Sequence, residues 1–213
     1  TAEEWVRMRR GGGILAGHGT VGSGAGSLVT IGAGGVLSPG NSVGTLTVNG
    51  DLVMDAGSHL VTEIDASGAS DRVAVSGAGD ITGAVLDVSG QGVRAGRYTI
   101  VTAAGGLTGT FGSVTGTGPI SSFLGITNSY DTNNAYLNVL RVRDFADAGL
   151  TRNQKAAAAG VQSLSGDDPL YAGSPLYDAI LHLTTDAAAR DAFDQVSGEV
   201  HASAKTALIE DSR

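Results

Sequence analysis

A chain of 213 residues with 34 glycines and 41% apolar but only 5% aromatic side chains can bury a sizeable core, though not one built from large rings. Its net charge of −8, with no basic block beyond Arg7, Arg9 and Arg10, argues against a nucleic-acid partner, because phosphate binding needs a basic face. No cysteine means no disulfide framework and no thiolate metal site, and no apolar run of about 18–20 residues exists to span a bilayer as a helix. Absence of cysteine fits two cases: a chain that does not need it, and one that crosses an oxidising periplasm unfolded.

The opening TAEEWVRMRR carries acids and no apolar core, so it is no signal peptide; residues 1–10 read as an N-terminal extension ahead of the repeats. From residue 11 to about 143 the chain is Gly, Thr, Ser and Val in short alternating runs. Strands are predicted at Leu28–Ile31, Thr45–Val48, Asp51–Met54, 59–64, Arg72–Val75, 84–88, 97–102 and 135–142. Leu46, Val48, Leu60, Ile64, Val73, Val75, Leu86 and Val88 fall on the inward side of the alternation. Glycine corners separate the runs, as a β-solenoid requires. A sandwich or an up-and-down barrel also gives many short strands. Against those stands the scarcity of hairpin signals; Asn49–Gly50, between two runs, is the main one.

The last β stretch is more aromatic, with Tyr98, Phe111, Phe123, Tyr130 and Tyr136. Larger side chains there suit a cap that closes the open stack. Beyond Asp144 the chain turns Ala-rich and reads as helical. The pieces are 151–164 with Thr151 as N-cap, 175–183 with Ser174 as N-cap and Pro175 at the first position, and a long piece from Thr185 or Asp186 toward Arg213. Ala189, Phe193, Val196, Val200, Ala204 and Ala207 make one apolar stripe on it, and Gly198 predicts a kink or break.

At these residues the sequence resembles a known family. The run LSPGNSVGTLTVNGDL at 37–52 is similar to a repeated pattern of type Va autotransporter passengers. The next two rungs of that pattern are resembled by GSHLVTEID at 57–65 and SDRVAV at 70–75. GRYTIVTA at 96–103 with GLTGTF at 106–111 resembles the passenger's capping, or autochaperone, segment. Asn153–Gln154, PLYDAIL at 175–181, DQVSGEVHAS at 194–203 and DSR at 211–213 resemble the helical link upstream of the translocator barrel. These blocks occur in the family's order. The resemblance implies a right-handed parallel β-helix over 11–95, a capping segment over 96–143 and a helical linker over 144–213. It further implies type V secretion to a Gram-negative cell surface and a barrel partner in the outer membrane. No barrel strands precede Arg213, which is where the chain departs from the family pattern.

Chemistry is sparse in the sequence. His18, His59, His182 and His201 show no metal-ligand spacing. Ser197 and His201 share a helix face, yet no nucleophile elbow accompanies them. Gly11–Gly12–Gly13 and Gly17–His18–Gly19 lack the lysine-containing end of a phosphate loop. Asp65, Asp71 and Asp80 read as solvated corners rather than a calcium site, and Asn133–Asn134 as a turn. A β-helix lyase or hydrolase needs a ladder of carboxylates on one face, which these spaced acids do not form. The expectation is therefore a non-enzymatic stalk and folding segment, with no catalytic, cofactor or metal residue assigned; the competing class is an adhesin or effector fragment. The stripe of Phe193, Val196 and Val200 is expected to be loosely held and to find cover on the solenoid end, on the other helices or, by self-association, on a second copy of the chain.

Overall fold

A computed structural model describes residues 5–8, 12–90, 93–116, 121–165 and 174–198. The chain forms two compact units, residues 1–118 with 126–138, and residues 119–125 with 139–213. The first is a parallel β-solenoid of roughly four turns.

Three sheets make its walls. One holds Trp5–Met8 (β1), Leu28–Ile31 (β4), Asp51–Met54 (β7), Gly79–Asp80 (β10) and Leu107–Thr108 (β13). The second holds Ile14–Gly17 (β2), Val36–Pro39 (β5), His59–Glu63 (β8), Val85–Ser89 (β11) and Ser113–Gly116 (β14). Gly19–Val21 (β3), Thr45–Val48 (β6), Arg72–Val75 (β9) and Gly96–Ala103 (β12) form the third. Its outer end carries the hairpin of Leu124–Tyr130 (β15) and Asn134–Arg141 (β16). Each rung strand pairs in parallel with the strand one turn away.

The register stacks like on like. Leu15, Leu37, Leu60, Leu86 and Val114 lie on one another through the second sheet. Leu46, Val73 and Val101 do so in the third, beside Val48, Val75 and Ala103. The eight residues expected to point inward are all buried, none more than 3% exposed. Burying one such aliphatic side chain contributes about 1.5–3 kcal/mol, and much of that burial is against the neighbouring rung.

At the cap, Arg97 Nε donates to Asn138 Oδ1 and Thr102 Oγ1 to Asn134 Oδ1. Those pairs run in opposite senses, so β16 lies antiparallel on β12 and ends the parallel stack. Tyr98 and Phe111 are buried there, at 7% and 8% exposure. Phe111 N–H donates to the Tyr130 hydroxyl, and Arg97 lies over the Tyr136 ring.

Two expectations are corrected. Residues 1–10 are not wholly outside the repeat, since Trp5–Met8 pairs with Leu28–Ile31. Asn49–Gly50, the main hairpin-type signal, stands at a corner as the glycine reading expects, because the strands it joins lie in different sheets. The aromatics expected to cluster at the cap are divided: Phe123 packs in the second unit, edge-on to Phe145 at 4.7 Å, with Tyr177 5.1 Å beyond.

That second unit is helical. A 3₁₀ turn at Phe145–Ala148 leads to Arg152–Gln162 (α1), Pro175–Leu181 (α2) and Asp186–Ser197 (α3). Thr151 closes a capping box with Gln154, Ser174 caps α2 and Thr185 caps α3. Gln154 also donates through Nε2 to both carboxylate oxygens of Asp194, tying α1 to α3. Gly198 ends α3 in the left-handed conformation, φ 77°, where glycine is favoured. The rest of the expected long helix lies outside the described residues.

Replacing Leu60 by Ala should lower stability by about 2–5 kcal/mol, because the cavity opens in the middle of a leucine column. Thr47→Ala, on the outer side of β6, should change it by no more than about 0.5 kcal/mol. Urea unfolding of both variants, followed by circular dichroism, checks the contrast.

Candidate functional site

The outer face of the second sheet carries the most chemistry. In alternating strands the inward leucines force the neighbours outward, so Val36, His59 and Val85 form one column and Val61, Asp87 and Thr115 the next. His59 Nδ1 lies 2.7 Å from Asp87 Oδ2, with the two side chains 38% and 32% exposed. The Thr115 hydroxyl donates to the other oxygen of Asp87. A carboxylate on Nδ1 fixes the imidazole and turns Nε2 away from it. Two members of a Ser–His–Asp arrangement are thus present, but the hydroxyl recorded with them sits on the aspartate and not on the histidine.

Asp71 is the second notable group. Read from sequence as a solvated corner, it is 3% exposed. Gly44 N–H donates to its Oδ1 at 2.8 Å and Glu63 N–H to its Oδ2 at 2.9 Å. Burial pushes its carboxyl above the usual value, while those two N–H groups oppose the rise. It therefore pins the 39–44 loop of one rung to the end of β8 in the next. Gly40 there has φ 81°, and a Cβ would come within 2.9 Å of Asp71 Oδ1. This is the physical content of the PGNSVG run: a tight left-handed corner closed over a buried carboxylate.

The other acids cap their own turns. Asp65 accepts from Ser67 and Ala69, which lowers its pKa, and Asp80 accepts from Thr82. Asn133 and Asn134 form the β15–β16 turn around Asp131, as a turn reading expects. Among the described residues no three His, Cys, Asp or Glu side chains come together as a metal site. His18 is exposed between β2 and β3. His182 donates Nδ1–H to the Asp178 carbonyl and leaves Nε2 buried with no hydrogen-bond partner. The Ser197 hydroxyl donates to the Asp194 carbonyl, and His201 lies outside the described residues.

In the helical unit an apolar cleft of about 520 Å³ lies between the helices, lined in part by Val161, Leu164, Leu176 and Val196. Three of these are largely exposed, Leu164 at 47% and Leu176 and Val196 at 42%. Phe193, expected on the exposed stripe, is fully buried, since its face of α3 packs on α1. Val196 opens on the cleft, and Val200 lies outside the described residues. No helix among the described residues is long and apolar enough to cross a membrane.

The sequence matches no family profile. It is similar to a protein named extracellular serine protease from Serratia marcescens, 27% identical over 246 aligned positions covering 94% of this chain. The chain spans 23% of that relative's length. This overturns the expectation that the protein is not an enzyme. That expectation rested on a lack of catalytic groups within a stretch equal to about a quarter of the related protein, where a missing triad does not bear on the rest.

The Asp131 turn carries a pH signature. Hydrogen bonds from Tyr136, Asn133 and Asn134 hold its carboxyl at about 2, against an ordinary 3.8. Because the folded value is the lower one, this contribution is fully present above 3.8 and is lost as pH falls through about 2. Asp131→Asn should therefore flatten the pH dependence of stability between those limits, and urea midpoints measured across that window check it.

Proposed function

We propose that these residues are the solenoid stalk and C-terminal folding segment of a longer secreted protein, an autotransporter passenger whose full length includes a serine protease. The β-solenoid, the extracellular relative and the ordered passenger-like motifs support this reading together. On it, the peptide-cleaving groups lie elsewhere in the longer chain, the mature protein is at the cell surface or released, and the helical unit leads to an outer-membrane barrel.

One observation carries the folding role: two buried aromatic rings, Tyr98 and Phe111, stand in the last rung. The buried apolar side chains described in the early rungs are Val, Leu, Ile and Met, with no ring among them. An aromatic ring buries some 150–250 Å², and here β12, β15 and β16 add side-chain hydrogen bonds to it. A chain leaving the cell C-terminal part first would fold this cap before the weaker rungs. Each later rung would then stack on a finished template, and the folded mass outside would oppose back-sliding.

Phe111→Ala should lower stability by about 3–5 kcal/mol. It should also slow refolding of the whole β region, whereas Leu37→Ala, in an early rung, should chiefly speed unfolding. Stopped-flow circular dichroism separates the two. Equal effects of both variants on the refolding rate would remove the cap's role as nucleus.

A further inference from the structure

We propose that Asn49–Gly50 is a chemical modification site of the unfolded chain that the fold holds shut. An asparagine followed by glycine is prone to cyclise, because no side chain hinders approach of the glycine nitrogen. The Gly50 nitrogen loses its proton and attacks Asn49 Cγ; a C–N bond forms and ammonia leaves. Water then opens the five-membered imide at either carbonyl, giving aspartate or isoaspartate at position 49.

In the folded protein every group in that reaction is engaged. Gly50 N–H donates to Ser76 Oγ at 2.9 Å, and the Ser76 hydroxyl donates to Asn49 Oδ1 at 3.2 Å. One serine thus occupies both the nucleophile and the carboxamide it would attack. The backbone is clamped from both neighbouring rungs. Asn49 N–H donates to the Val21 carbonyl at 2.7 Å, and the Asn49 carbonyl accepts from Gly24 N–H at 2.9 Å. On the other side the Gly50 carbonyl accepts from Gly77 N–H at 2.8 Å. The nitrogen cannot reach Cγ without breaking contacts to two rungs.

The corner also explains why a reactive dipeptide stands there. Gly50 has φ 138°, and a Cβ on it would run into the Ser27 carbonyl. Only glycine fits, and Asn49 supplies the acceptor for Ser76. Isoaspartate would carry an extra methylene in the main chain between β6 and β7. That lengthens a corner clamped to Val21, Gly24, Ser76 and Gly77, so the isoaspartate chain rebuilds it at a cost in stability. Unfolded time is thereby recorded as permanent damage at one position. The chemistry stands apart from the proposed function; only its occasion, a chain waiting unfolded for export, rests on that reading.

Incubating the full chain folded and in urea, at one pH and temperature, followed by peptide mapping with mass spectrometry, tests the site. The folded chain should convert at Asn49 slower than the unfolded chain by on the order of tenfold or more. Ser76→Ala should raise the folded rate several-fold above that of Leu60→Ala, a variant destabilised elsewhere that serves as the reference for global opening. Equal rates in folded and unfolded wild type would overturn the proposal. So would a Ser76→Ala rate no higher than that of the Leu60→Ala reference.

Discussion

Everything in the solenoid depends on one constraint: an inward side chain must lie on the side chain one turn below. Leu37, Leu60 and Leu86 meet this demand on the second sheet, and Leu46, Val73 and Val101 on the third. No rung has a core of its own, so each is stable only against a neighbour. The same constraint fixes the outer face. Once the leucines turn in, His59, Asp87 and Thr115 must turn out, in two adjacent columns of the same face, where they meet side by side. Corners obey it too, for Gly40 and Gly50 sit where a side chain would intrude on an adjacent turn.

Stacking needs a first surface, and the two ends of the solenoid differ in what they offer. At the C-terminal end a hairpin crosses the stack antiparallel, with Tyr98 and Phe111 beneath it and Arg97, Thr102 and Asn138 hydrogen-bonded across it. Among the described side chains, β2, β3 and β4 carry no aromatic ring. A directional stack with one strong end suits the proposed stalk that assembles as it emerges.

Sequence revealed what local patterns encode. Alternation marked β4, β6, β7 and β9 at their observed bounds, and capping residues marked all three helices, because a strand's faces and a helix's first turn are set by neighbours in sequence. It missed β1, β2, β3, β5, β10, β13, β14 and β15. β10 and β13 are only two residues each and β5 ends on Pro39, so local alternation is too short there and pairing with the neighbouring rung completes the strand. Offsets between stacked partners also lengthen, from 22 residues between Ile14 and Val36 to 28 between Val85 and Ser113, so no fixed repeat is visible. Asp71 looked solvated because its partner Gly44 is 27 residues away, and His59 looked isolated because Asp87 is 28 away. Function was harder still, because the sequence similarity covers 23% of the related protein's length.

Native-state amide hydrogen exchange tests the central claim, that rungs borrow stability from a strong C-terminal end. Protection should be greatest at Ile100 and Val101 of β12 and fall rung by rung through β9 and β6 to β3. Uniform protection along the third sheet, or greater protection in β3 and β6 than in β12, would contradict it.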